Sequence, residues 1–147
     1  MRNSKFVKMP SIMFLHGCVA IGVDKTTGKS GPVGYETKDG NAYEPTQLLY
    51  PVEHKDYNND AYIKGEWEKL QAGLDAAERV TIFGYSAPVT DVEAISLLQN
   101  AWGTVEERDM EQFEMIDVRE EQTVKSSWNT FIHTHHYDYR TSFLIVL

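Results

Sequence analysis

The residues of this 147-residue chain whose types and spacing could do chemistry together lie around Val80-Thr81-Ile82-Phe83-Gly84-Tyr85-Ser86-Ala87-Pro88-Val89-Thr90-Asp91. Val80 to Phe83 is a β-branched and aromatic run, and Gly84 supplies the backbone freedom for a sharp exit from a strand. Thr90-Asp91-Val92-Glu93 has the form of a capping box, which starts a helix at about Asp91. A strand leaving through glycine into a capped helix points backbone N–H groups at the crevice above a sheet, where open α/β folds hold phosphates and nucleotides. An ordinary strand-to-helix loop without a ligand fits the same residues and is the commoner case. In that case Asp91 serves the positive end of the helix and Tyr85 covers its start.

Elements on either side must position this turn. Between Asp60 and Glu78, the residues Tyr62, Trp67, Leu70, Leu74 and Ala77 recur at helical spacing and predict an amphipathic helix packed on a sheet. Val92, Ile95, Leu98 and Trp102 carry the stripe of the next helix. Phe113, Met115, Ile116 and Val118 predict a strand that a right-handed crossover places parallel to Val80–Phe83. Gly84-Tyr85-Ser86 and Asp117-Val118-Arg119 then share one rim. A further helix is expected from Glu121 to His135 with Val124, Trp128, Phe131 and Ile132 inward, and Phe143 to Leu147 reads as a final strand. Earlier, residues 1–8 are polar, Ile12 to Leu15 and Cys18 to Val23 read as strands, and Asp24 to Pro32 as the turn of a hairpin or excursion. Gln47 to Val52 reads as an edge segment.

The composition fits one globular domain over 1–147 with a loose start over 1–10: 41% of residues are hydrophobic, including three Trp, eight Tyr and six Phe. With 14 Lys plus Arg against 22 Asp plus Glu, the net charge is −8, and no basic stripe marks a nucleic-acid partner. Cys18 is the lone cysteine, so no internal disulfide and no thiolate zinc site is expected, and a reducing cytoplasm is the default setting. Arg2, Lys5 and Lys8 ahead of Leu15-His16-Gly17-Cys18 mimic a lipoprotein signal, but Pro10 and His16 leave too short an apolar core. No run approaches the roughly 20 apolar residues of a membrane span.

Two further patterns fail on spacing. Gly28-Lys29-Ser30 needs a glycine five positions earlier to be a phosphate loop, and Val23 stands there. His133, His135 and His136 have only Asp138 near a ligand spacing, and adjacent histidines point apart, so no metal site is expected.

Taken together, Phe14-Leu15-His16-Gly17, Leu49-Tyr50-Pro51-Val52 with Lys55 and Tyr57, Trp67, Gly84-Tyr85-Ser86-Ala87-Pro88…Asp91, Met115-Ile116-Asp117, Trp128-Asn129-Thr130-Phe131-Ile132 and His135-His136-Tyr137 resemble the C-terminal half of a sirtuin-like domain. The similarity is nearest to bacterial sirtuin-like proteins of NAD-consuming antiphage defence, and it runs in order from about residue 12 to near the end. The resemblance implies an α/β, partial Rossmann-like three-layer fold with a parallel sheet, lacking the N-terminal half of the family fold. It implies His16 as a base toward ribose chemistry on NAD, Gly84, Tyr85 and Ser86 as nucleotide contacts with Asp91 beside them, and Asp117 as a ribose hydroxyl acceptor. A neutral imidazole near pKa 6.5 suits such a base at pH 7. The family's glycine-rich dinucleotide turn and the paired Cys-x-x-Cys sequences of its deacetylases are not found in these 147 residues.

Two functions follow as expectations. One is a nucleotide-binding module for NAD or ADP-ribose that is inactive alone. The other is a self-associating interaction protein without nucleotide chemistry. Half of a doubly wound sheet leaves an uncovered edge, which calls for a homo-oligomer or a complementary domain.

Overall fold

A computed structural model describes residues 10–49, 57, 59–85, 92–103, 112–129, 131 and 137–142. Its centre is a parallel sheet of β4 (Arg79–Phe83), β5 (Gln112–Ile116) and β6 (Tyr137–Arg140), in that spatial order. Thr81 faces Glu114 in register, and Ile116 stands between Phe83 and Arg140. α2 (Val92–Trp102) lies between β4 and β5 in the chain, and α3 (Glu121–Trp128) lies between β5 and β6. The fold is α/β, and this parallel sheet with its helices is compatible with part of a Rossmann-like fold.

The middle strand carries the core. Phe113 and Met115 are buried with Trp102, Val124, Trp128 and Phe131, and Val80, Ile82, Ile95 and Leu98 pack around them. β4 is an outer strand, which leaves Phe83 67% exposed. Val92, expected on the inner stripe of α2, is exposed because Ala94 takes the buried position at the start of that helix.

α1 (Ala61–Asp75) begins at Asp60, whose carboxylate accepts from the amides of Tyr62 and Ile63. It packs against α2 instead of lying flat on the sheet: Ile63 and Trp67 share a second cluster with Tyr57 and Ala94, and Leu74 reaches the sheet core. Glu66 is buried on the same face, a charge that the apolar stripe did not announce.

The expected hairpin is present as β1 (Ile21–Val23) and β2 (Ser30–Pro32), joined by β3 (Glu44–Pro45) in an antiparallel sheet ordered β2-β1-β3. Asp24 knots its turn, accepting from the amide of Thr26 at 2.9 Å, the hydroxyl of Thr27 at 2.6 Å and the amide side chain of Asn41 at 3.4 Å. The Thr27 hydrogen bond, followed by that from Thr26, holds the Asp24 carboxyl below its ordinary range.

Three expectations are corrected. Ile12 to Leu15 is not a strand: Ile12 is 72% exposed and the chain turns at Leu15-His16, because side chains of α1, not a neighbouring strand, satisfy its backbone. Of the edge segment expected over Gln47 to Val52, Gln47 to Leu49 is irregular and Tyr50 to Val52 lie outside the described residues, while the edge strand beside β1 is β3. α3 stops at Trp128, short of the end expected at His135, and β6, beyond that expected end, was not foreseen. The capping residue Thr90, the loop Glu106 to Glu111, His133, His135, His136 and the run Phe143 to Leu147 lie outside the described residues.

Candidate functional site

Gly84 closes β4 with φ +64°, a conformation that side-chain-bearing residues rarely adopt. Its N–H donates to the carbonyl of Ile116 at 3.0 Å, which extends the β4–β5 ladder by one residue. That amide is therefore spent on the sheet, and the expectation that it faces a phosphate is corrected. Tyr85 follows, 38% exposed, with its ring edge-on to Trp128 at 5.8 Å and its carbonyl accepting the Trp128 indole N–H at 3.2 Å. Ser86 and Asp91 lie outside the described residues.

Asp117 stands just past β5, next to Gly84 across the strand ends, and is 7% exposed. One carboxylate oxygen accepts from the amide and the Nε of Arg119 at 2.9 and 2.8 Å, and the other accepts from an Nη of Arg119. The Arg119 side chain above all, then its amide, holds the Asp117 carboxyl at about 2. Tyr139 in β6 donates its hydroxyl to the carbonyls of Asp117 and Arg119, which fixes the turn between them. Gly84, Asp117, Arg119 and Thr141 line a cavity of about 440 Å³ at this rim. Asp117 thus reaches the rim as expected, but with both oxygens already engaged. Arg119, two residues on, was visible in the sequence; its turn back onto Asp117 was not.

His16 sits in the turn Phe14 to Gly17, where the amide of Gly17 donates to the carbonyl of Phe14 at 3.0 Å. Gly17 has φ +86°, and a Cβ there would lie 2.1 Å from the carbonyl oxygen of Gln47, so the turn admits only glycine at that point. Outside groups hold the turn at successive residues. Glu66 accepts from the amide of Phe14 at 2.9 Å, Trp67 donates its indole N–H to the carbonyl of Leu15 at 3.0 Å, and the amide of Leu49 donates to the carbonyl of His16 at 3.0 Å. The hydroxyl of buried Tyr57 meets Nε2 of His16 at 3.2 Å. Glu66 also pairs with Lys69 at 2.5 Å. A glutamate at helical spacing between Ile63 and Leu70 is the signal that could have pointed to this clamp.

His16 and Tyr85 line one cavity of about 600 Å³, floored by Trp67, Trp102 and Trp128. Val80 and Ile82 from one face of β4 and Thr81 and Phe83 from the other also line it, so it runs along the outer edge of that strand. Phe83 lines both this cavity and the rim cavity. The structure therefore joins His16 to Tyr85 in one space and Gly84 to Asp117 in the next. Among the described residues, no group of three or more His, Cys, Asp and Glu side chains could hold a metal ion, and no helix is long and apolar enough to cross a membrane.

No protein-family model matches the sequence, and no curated protein matches it.

Proposed function

We propose that the chain is a binding module for an NAD-type dinucleotide or ADP-ribose, the counterpart of the C-terminal half of a sirtuin-like NAD hydrolase. The observation that carries this reading is that His16 and Tyr85 line one cavity, which meets the Gly84–Asp117 rim at Phe83. An aromatic-lined cavity with few polar groups suits a planar ring, and a carboxylate at a strand end suits a ribose diol. Asp117 retains acceptor capacity beside Arg119, because a carboxylate offers about four lone-pair sites. When bound, the dinucleotide supplies the glycosidic bond on which this chemistry acts. His16 is the base that takes a ribose proton, Tyr85 and Trp128 bound the ring cavity, and Asp117 orients the sugar. The resemblance also brings a role in antiphage defence into this proposal, and the lone cysteine a reducing cytoplasmic setting.

Isothermal calorimetry and ligand-observed NMR with ADP-ribose and NAD test it. Millimolar binding is expected, with shifts at His16, Gly84 and Tyr85; silence at millimolar ligand overturns the reading. Nicotinamide release in the presence of a complementary fraction, lost in His16→Ala, tests the catalytic part.

A second reading is favoured by the sheet order. Among the described residues no strand pairs with the outer edge of β4, and the large cavity follows that edge. An edge of this kind is a template for another chain, so the protein self-associates or pairs with a complementary domain. Sedimentation over a wide concentration range tests this, and a monomer throughout counts against it.

A further inference from the structure

We propose that Arg119 and Thr141 form a phosphate-binding subsite in the cavity at the ends of the parallel strands. Both line that cavity of about 440 Å³, Arg119 from the turn after β5 and Thr141 from directly after β6. Asp117 holds the guanidinium along one edge only: Nε and Nη2 donate to its two carboxylate oxygens. A guanidinium donates along more than one edge, and the far fork, between Nη1 and Nη2, remains. Among the described residues nothing else bonds to that fork or to the Thr141 hydroxyl. The Arg119 side chain is 38% exposed, so a ligand can reach it.

The donors are held in place before any ligand arrives. Buried Asp117 fixes the guanidinium plane at two points, and the Tyr139 hydroxyl donates to the carbonyls of Asp117 and Arg119, which holds the turn. A planar fork binds two oxygens of an oxyanion, and a hydroxyl at the neighbouring strand end can bond to a third oxygen, which a phosphate has and a carboxylate lacks. The crevice beyond the carboxyl ends of parallel strands is where α/β sheets hold such groups, and an arginine beside a ribose-binding acid is a known way to take a sugar phosphate. Charge alone does not draw the anion in. Asp117 offsets Arg119, Glu120 and Glu121 follow in the chain, and Arg140 is paired with Glu114 and Asp138. Binding therefore relies on directed hydrogen bonds and is weak, in the millimolar range. That the phosphate belongs to a nucleotide, next to the sugar that Asp117 orients, rests on the reading above; the anion site does not.

The test is a titration of the full chain with inorganic phosphate at constant ionic strength, followed by ¹H–¹⁵N NMR at Arg119 Nε and the Thr141 amide. Saturable shifts at both are expected; no shift, or the same shifts with chloride alone, overturns the proposal. Arg119→Lys keeps a cation beside Asp117 but has no fork, and should weaken phosphate binding about tenfold or more, the worth of one hydrogen bond to a charged group. Thr141→Val leaves the Asp117–Arg119 pair intact and should weaken it about threefold to tenfold. Unchanged affinity in either folded variant overturns the proposal, and exposed Thr141 decides it even if Arg119→Lys does not fold. ADP-ribose separates the two sources of phosphate: tighter binding than the free ion, with the same two resonances moving, assigns the group to a nucleotide. Phosphate binding with ADP-ribose silent removes the nucleotide reading alone, and ADP-ribose binding with Arg119 and Thr141 unmoved removes the subsite alone.

Discussion

Trp128, at the end of α3, donates its indole N–H to the carbonyl of Tyr85 at 3.2 Å, while the two rings meet edge-on. This ties the helix after β5 to the turn after β4, so the wall of the cavity and the core are built from one side chain. Trp128 is buried against Phe113 and Phe131, whereas the Tyr85 ring reaches solvent. Trp128→Ala should cost about 3–5 kcal/mol, the usual range for emptying an aromatic core site. Tyr85→Ala keeps the carbonyl and should cost about 0.5–1.5 kcal/mol for the ring contact. Urea unfolding measures both, and equal losses would show that Trp128 does not carry this junction.

The Asp117–Arg119 pair should show itself in acid. The folded carboxyl sits at about 2, below its ordinary 3.8, because Arg119 binds its charged form. A depressed carboxyl stabilises the fold above the ordinary value, and that contribution is lost as the pH falls from about 4 toward 2. Arg119→Met should therefore be less stable than the parent at pH 6, with the gap closing across that acid window. Parallel stability curves down to pH 2 would mean that the pair contributes nothing.

The outcome at Asp117 also marks how far the sequence could be read. Val80 and Ile82, the Ile95-Leu98-Trp102 stripe and Phe113–Ile116 were legible because periodicity and β-branching agree with their packing on the core, and the crossover rule then fixed the parallel pairing. The buried strand expected over all of Val80–Phe83 is instead an outer one, with Thr81 and Phe83 exposed. Ile12 to Leu15 misled because a short apolar run does not tell whether a strand lies beside it. β6 was hidden by its polar composition: Tyr137 and Tyr139 are half-buried while Asp138 and Arg140 are exposed, an alternation only four residues long. At the site, sequence spacing brought Gly84 and Asp117 to one rim. It did not reveal that Ile116 takes the Gly84 amide or that Arg119 takes the carboxylate, since hydrogen-bond partners are chosen in three dimensions.

Two glycines with similar backbone angles should respond differently to a methyl group. Gly84 has φ +64° with nothing among the described residues within 4 Å of an added Cβ, so Gly84→Ala should meet backbone strain alone, about 1–2 kcal/mol. Gly17 has φ +86° and the carbonyl oxygen of Gln47 at 2.1 Å, so Gly17→Ala must also displace main chain. Gly17→Ala should be clearly the more destabilising and should move the His16 resonances, while Gly84→Ala leaves them in place. Thermal unfolding with ¹H–¹⁵N spectra decides, and equal effects would remove the claim that Gln47 locks the histidine turn.

Tyr137 should govern the alkaline limb of stability. Its hydroxyl is buried with no hydrogen-bond partner among the described residues, and burial first, then the charge of Glu121, pushes the phenol up to about 12. The folded state thus resists ionisation at a pH where an unfolded tyrosine, near 10, already loses its proton. Stability is full below about pH 10 and falls as the pH rises toward 12. Tyr137→Phe keeps the ring under Lys125, whose ammonium lies 5.1 Å from its centre, and removes an unsatisfied polar group. The variant should match or exceed the parent at pH 7 by up to about 1 kcal/mol and lose much of the alkaline decline. Tyr139, also raised by burial, leaves a smaller residual slope. Urea midpoints from pH 7 to 12 measure both effects; a variant that is weaker at pH 7 would show that the Tyr137 hydroxyl does find a partner.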